Sequence, residues 1–353
     1  MGMVMRNFRN ALRLILALGF LLGSWAGISV AQQVETKKLA QTGMKFLQVA
    51  TNARQTAMGD AFTAADGYSA SMFYNPAGMA KLGSLMDVSI GQTQWIADIN
   101  HKAVSFAIKL EDIGTFGLAA QYVDYGEIEA TVRVDNTINS KGYLDVGTIK
   151  PWGLAFGIGY ARSLSDKFSV GGNVKFVKQD LGESFVGSSY ASTNSKIPDS
   201  TQTNAQSVTA FDFGVLYRTG FKSLTFGMTI RNFSKEVTYQ KESFQLPLTF
   251  KIGLSMNMMD LVDVEPGSQD LLLSIDAEHP RDYPEQLRIG VEYVFSRTVA
   301  FRLGYVGPTD ERSISYGIGF QQAWFGTQLG VDYSYTPFGI FGRVQTISVR
   351  FGM

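Results

Sequence analysis

The chain contains no cysteine, which excludes a disulfide scaffold, a thiolate metal site and a lipidated N-terminus. It has two histidines, His101 and His279, too few for a multi-histidine metal centre. Neither sign of charge is in excess: 31 Lys and Arg stand against 31 Asp and Glu, so the electrostatic footprint of a nucleic-acid binder is missing. Charge of any sign is sparse, at 18% of residues against ~25% for an average soluble domain. Beyond the first 31 residues no run is long and apolar enough for a membrane helix. What is plentiful is 37 Gly, and 25 Phe with 15 Tyr; so many aromatic residues argue against disorder.

The N-terminus carries an export signal. Arg6, Arg9 and Arg13 precede the apolar run from Leu14 to Ile28, and Ser29-Val30-Ala31 follows with small residues where a signal peptidase reads. The run is shorter than the ~20 residues of a spanning helix, so residues 1–31 read as a signal peptide rather than an anchor. Cleavage after Ala31 removes three bases and leaves the mature chain with three acids in excess.

From residue 86 the hydrophobic period is two. In the clearest case Trp152, Leu154, Phe156, Ile158 and Tyr160 alternate with Gly153, Ala155, Gly157, Gly159 and Ala161. Fourteen such segments are expected, over 86–95, 101–110, 114–125, 151–163, 168–181, 207–219, 223–233, 246–257, 270–279, 286–296, 298–306, 313–321, 326–336 and 343–352. Most are as long as the ~9–11 residues of a tilted transmembrane strand, and longer than the ~5–6 of a soluble one. Even-to-odd connections are mostly tight, as at Asp112-Ile113, Ser165-Asp166 and Ser296-Arg297. The odd-to-even connections 126–150 and 182–206 run to about 25 residues each, and only 258–269 breaks the parity. The large apolar residues of the alternating face, such as Trp152, Leu154, Phe156, Ile158 and Tyr160, follow one another without an intervening charge. Lys109, Lys175, Asp212, Arg231, Lys251, Asp276, Glu278, Arg288, Glu292, Arg302, Asp332 and Arg350 all fall on the alternate face.

These features predict an all-β transmembrane barrel of 14 antiparallel strands, with lipid outside and the twelve charges in the lumen. An even strand count puts both ends of the barrel on one side, and the short turns make that side periplasmic. Trp95, Trp152, Phe295, Phe320, Tyr333 and Tyr335 are expected in the interfacial girdles. Residues 32–85 lack the alternation. They show helix-like pieces from Thr42 to Val49 and Ala53 to Phe62, then a turn Asn75-Pro76-Ala77-Gly78 in which Gly78 permits a left-handed stop. A fourteen-strand barrel is wider than its own side chains fill, so this segment is expected as a plug inside the 86–353 barrel. Arg54, Asp60 and Asp66 are candidate plug partners for the lumen charges.

The stretch Asn52-Ala53-Arg54-Gln55-Thr56-Ala57-Met58-Gly59-Asp60-Ala61-Phe62, followed by Tyr74-Asn75-Pro76-Ala77-Gly78, resembles the N-terminal signature of FadL-like barrels. Within them it is most similar to the PorV/PorQ family associated with type IX secretion. Asn52 and Asp60 stand where that family usually has glycine, and Asp66 stands where a pair of acids is usual. The resemblance implies a fourteen-stranded barrel with an N-terminal hatch, in which Arg54, Met58, Gly59, Asn75, Pro76, Ala77 and Gly78 form the hatch motif. It also implies service in type IX secretion or, alternatively, FadL-like uptake of hydrophobic molecules.

Catalytic chemistry finds no support. His101 and Ser105 share a strand face but lie about 13 Å apart at ~3.3 Å per residue, too far to pair. His279-Pro280 reads as a loop. Gly157-Ile158-Gly159 lacks the third glycine of a nucleotide loop, and Asp260, Asp263 and Glu265 miss the calcium-loop pattern. No enzyme activity, cofactor or metal is expected. Mixed lumen charge argues against a steeply ion-selective pore. The expected partners are outer-membrane lipid, secretion-machinery proteins with exported cargo domains, or a hydrophobic ligand, and no nucleic acid. Tyr143, Phe185 and Tyr190 are the aromatic contacts offered by the two long loops.

Overall fold

The structure is a computed structural model that describes residues 41–353 except 135, 137, 138, 187–199, 263–268 and 325. The signal peptide read over 1–31, residues 32–40, Tyr190, Asp263 and Glu265 therefore lie outside the described residues.

In chain order the strands are β1 (Met86–Gln94), β2 (Asn100–Leu110), β3 (Gly114–Asp124), β4 (Ile128–Arg133), β5 (Tyr143–Ile149), β6 (Trp152–Ser163), β7 (Phe168–Val186), β8 (Ser200–Arg218) and β9 (Thr225–Ser234). They continue with β10 (Val237–Tyr239), β11 (Glu242–Phe244), β12 (Thr249–Asn257), β13 (Gln269–Pro280), β14 (Gln286–Phe295), β15 (Val299–Gly307), β16 (Ile314–Trp324), β17 (Thr327–Pro337) and β18 (Arg343–Gly352). Fourteen of them form one closed antiparallel barrel in the order β1-β18-β17-β16-β15-β14-β13-β12-β9-β8-β7-β6-β3-β2. Closure is made by β1 against β18, with Asp87 opposite Gly352 and Gln94 opposite Gln345. A closed ladder satisfies every strand's backbone groups, the condition for lying in hydrocarbon.

The alternation places large apolar side chains outward. On β6, Phe156, Ile158 and Tyr160 are exposed, and Ala155 and Ala161 are buried. A barrel that met water with Phe116, Leu118, Phe176, Phe213, Phe301, Leu303, Ile318 and Phe320 all exposed would carry an apolar belt far beyond what soluble surfaces tolerate. Among the described residues no helix is long and apolar enough to cross a membrane.

Small inward residues leave room for residues 42–82. The 3₁₀ helix Lys45–Gln48 leads to α1 (Ala53–Ala57), then come the 3₁₀ helices Ser69–Phe73 and Pro76–Lys81. Asn52 caps α1 by accepting from the Arg54 amide. Their backbone rests directly on the barrel wall. A Cβ built on Gly171 would lie 2.5 Å from Pro76 and Ala77, and one on Gly290 2.6 Å from the Met58 carbonyl. Any larger residue at either place would push the hatch off the wall.

Several expectations need correction. The loop expected over 182–206 is largely strand, because β7 runs to Val186 and β8 starts at Ser200; Gly182, at φ +83, sits in the register shift between Asp180 and Glu183. The 126–150 loop folds back as the ribbon β4–β5, and the connection after β9 holds β10–β11. The strands of these ribbons are three to seven residues long, too short to stand out as membrane-crossing segments, and β10–β11 packs Val237 and Phe244 against the cluster that holds Met44, Phe46 and Leu47. The strand expected from 246 begins at Thr249, because Pro247 has no amide to donate and Leu246 is buried. The helix expected to Phe62 stops at Ala57, where Gly59 and Asp60 take positive φ. Gly78 is no left-handed stop but lies inside Pro76–Lys81, where a Cβ would come 2.7 Å from Ser71 Oγ. His279 is a strand residue, paired with Phe250 and hydrogen-bonded at 2.9 Å to Glu285. Trp95 is not in a girdle but faces inward, edge-on to His101 at 6.2 Å and to Phe338 at 4.9 Å.

Candidate functional site

The hatch is fastened to the wall by the strands' inward charges. In one chain of ions Arg54 donates from Nε and Nη2 to Glu292 at 2.8 and 2.5 Å. Arg302 bridges Glu292 at 2.5 Å and Asp332 at 2.8 Å. The Arg54 guanidinium also lies 4.5 Å from the Tyr68 ring centroid and 5.1 Å from that of Phe62. In a second group Asp60 accepts from Arg288 at 3.1 Å and Arg312 at 2.9 Å. Glu278 pairs with Arg288 and, at 3.1 Å, with Lys251. Asp276 accepts from the amides of Phe62 and Thr63 at 2.9 and 3.0 Å and from the Thr63 hydroxyl at 2.6 Å. Nearly all these groups are buried, so each needs its partners.

The rest of the motif works through shape and backbone. Asn75 donates to the carbonyls of Thr63, Val215 and Met228 at 2.7, 3.1 and 3.4 Å, and accepts from Ala77 N at 3.1 Å. It thus ties two parts of the hatch to β8 and β9, while Pro76 starts the last 3₁₀ helix. Met58 packs in a small core with Phe62 and Ala65. Asp212 holds Lys175 at 2.8 Å and the Asn232 amide at 2.8 Å, where Asn232 at φ 60 forms a bulge in β9. Arg350 bonds Asp87 at 2.6 Å, and Asp87 accepts from the Ser69 amide at 2.8 Å. Lys109 reaches the Leu82 carbonyl at 3.2 Å from the periplasmic rim, where it is exposed. Arg231 makes only a 3.5 Å contact to the Leu47 carbonyl and lies 5.8 Å from the Tyr74 ring centroid. All twelve strand charges thus sit on the inward face, but they divide into separate clusters rather than one ring.

Other fastening residues were missed. Asp87 falls on the inward parity of β1 and was readable from it. Arg312 and Asp282 lie on outer connections, where no periodicity marks them. Asp66 pairs with Arg218 at 2.9 Å on the periplasmic side. Of the loop aromatics, Tyr143 opens β5 and is exposed, and Phe185 lies in β7 opposite Thr201.

Two cavities flank the hatch. The outer one, of about 430 Å³, is walled by Phe46, Trp95, Ile96, Phe338 and Phe341, with Arg231 among the polar groups at its floor. The inner one, of about 390 Å³, is lined by Arg54, Tyr68, Arg302, Asp332, Gln328 and Arg350. Among the described residues there is no group of three or more side chains suited to hold a metal ion.

A closed fourteen-strand barrel with an apolar exterior and an ionic bore filled by an N-terminal hatch is a plugged membrane barrel. The chain belongs to the PorV family: the family model described as Type IX secretion system protein PorV matches residues 31–262. Solved structures agree on the fold. The Ralstonia pickettii toluene transporter TbuX is similar with a TM-score of 0.52 and 13% identity, over 85% of this chain and 96% of that one. The CymD monoaromatic hydrocarbon channel gives 0.52 and 12%, over 86% and 96%. A Pseudomonas aeruginosa FadL homologue gives 0.50 and 11%, over 86% and 97%. No curated protein matches the sequence. The protein is an outer-membrane β-barrel of PorV type.

Proposed function

We propose that the protein serves type IX secretion by receiving exported cargo domains on its outer face, without a catalytic step of its own. The observation that carries this reading is the contrast between a closed bore and a built-up exterior. The bore is crossed by the hatch and its ion clusters, whereas β7–β8 and β4–β5 project outward as ribbons. Exposed strand edges are templates for partner strands, and Tyr143 offers an aromatic anchor beside one of them. The family match supplies the secretion context. Removing residues 128–149 and joining Glu127 to Lys150 through a short glycine turn should leave the barrel heat-modifiable on gels while cargo fails to reach the surface. Normal cargo display by that variant would refute the ribbon's role, and normal display in a full deletion strain would refute the secretion reading.

A second reading is passage of a hydrophobic small molecule, as the titles of the toluene transporter and the hydrocarbon channel state for those proteins. The apolar wall of the outer cavity favours it. Trp95→Ala with Phe338→Ala should then slow uptake of an aromatic hydrocarbon by whole cells; an unchanged rate removes this reading.

A further inference from the structure

The outer cavity carries charge and aromatic surface that the hatch contacts leave unused. Four of the five cations that line it are matched. Lys45 pairs with Asp282, Lys251 with Glu278 at 3.1 Å, Arg288 with Asp60 at 3.1 Å and Arg312 with Asp60 at 2.9 Å. Arg231 is the exception. Among the described residues it forms no ion pair; its Nη2 reaches only the Leu47 carbonyl, at 3.5 Å, and its Nε is enclosed without a hydrogen-bond partner. A half-buried guanidinium has lost part of its hydration, and a planar carboxylate gripped by two N–H groups restores that loss best. Glu311 also borders the cavity, but it is exposed on the outer connection between β15 and β16 and makes no ion pair with Arg231. His101 is a second unsatisfied group: it lines the same cavity, is 2% exposed, and its Nδ1 has no partner. The apolar wall is aromatic more than aliphatic, with Phe46, Tyr74, Trp95, Phe338 and Phe341 against Val49, Ile96 and Ile99. Trp95 and Phe338 already meet edge-on at 4.9 Å, an arrangement that a further ring extends.

We infer that the outer cavity binds an aryl carboxylate, a small acid whose ring lies against the aromatic wall and whose carboxylate is held by Arg231. The volume of about 430 Å³ falls within the ~300–1,000 Å³ of small-ligand sites. Charge separates this ligand from a neutral hydrocarbon, which leaves Arg231 unpaired. The ring separates it from an alkyl acid, which finds few aliphatic partners on this wall. A hydrogen-bonding ring substituent would satisfy His101 as well. The inference sharpens the second reading above and rests on it for the cavity's being a ligand site, but not for passage, because a site can hold its ligand without a route through the hatch.

The test uses the purified full chain in detergent, titrated by calorimetry with three probes of equal carbon number: 3-phenylpropanoate, its neutral amide 3-phenylpropanamide, and nonanoate. The expected result is that 3-phenylpropanoate binds about tenfold or more tightly than the amide, the effect of one hydrogen-bonded charge pair, and also more tightly than nonanoate. Arg231→Gln should abolish the preference for the acid over the amide while the amide binds as before, and heat modifiability confirms that this variant is folded. Trp95→Leu, which keeps an apolar wall but removes a ring, should weaken 3-phenylpropanoate and leave nonanoate unchanged. Equal affinity for acid and amide, or equal acid affinity in wild type and Arg231→Gln, overturns the anion site while leaving the hydrophobic reading intact. Nonanoate binding as tightly as 3-phenylpropanoate overturns the aryl preference. Absence of binding by all three probes overturns the proposal together with the reading of the cavity as a ligand site.

Discussion

Asp60 shows how single residues hold the hatch. It takes a positive φ just after the helix α1, and that turn aims its carboxylate at Arg288 of β14 and Arg312 of the outer connection. Removing one partner of a buried ion pair costs about 3–5 kcal/mol, because the charge left behind keeps its desolvation penalty. Asp60→Asn should fall toward the low end of that range, since Glu278 still neutralises Arg288. The expected outcome is faster proteolysis of the hatch and a lower temperature of heat modification; an unchanged digestion pattern would show that the latch does not order the hatch. Gly304 makes the complementary case through shape. Its inward side lies against the backbone of Met58 and Gly59. Gly304→Leu is expected to unseat the hatch while the barrel still inserts, read as new protease sensitivity near Met58 with unchanged heat modifiability.

At the scale of elements, the barrel strands obey one rule: large and apolar toward lipid, small or ionic toward the bore. A lysine on the lipid face near the midplane costs about 2–4 kcal/mol. Phe156→Lys should therefore lower folding yield into lipid vesicles, while Lys178, beside Trp152 at 5.2 Å near the strand end, is tolerated because it sits near the interface. Equal yields for wild type and Phe156→Lys would count against lipid contact at that face. The same rule explains what was readable. Trp152 to Ala161 announces β6 because one neighbour is hydrocarbon and the other is the hatch. The ribbon β4–β5 is harder to read, because its strands of six and seven residues fall short of a membrane crossing, although Leu144, Val146 and Ile149 are half-buried. Trp95 was misplaced for a related reason: an aromatic at a strand end looks the same whether it turns to lipid or to Phe338.

At the scale of the whole molecule, the hatch makes the difference between a closed device and a pore. Deleting residues 42–82 takes Arg54 from Glu292, the Phe62 and Thr63 amides from Asp276 and Asp60 from Arg288, and opens the bore. Such a variant should show steady currents in planar bilayers, where the intact protein shows little; equal conductance for both would mean that the hatch does not close the bore.

The sequence by itself determined the class of fold, the strand count, the side of each strand that meets lipid and the hatch motif. These depend on local periodicity and turn chemistry, which a one-dimensional pattern carries. Which charge pairs with which was decided only in three dimensions. Arg54 and Glu292 are 238 residues apart, and Thr42 and Asp282 are 240 apart. No spacing rule links such positions, because barrel closure and the path of the hatch bring them together.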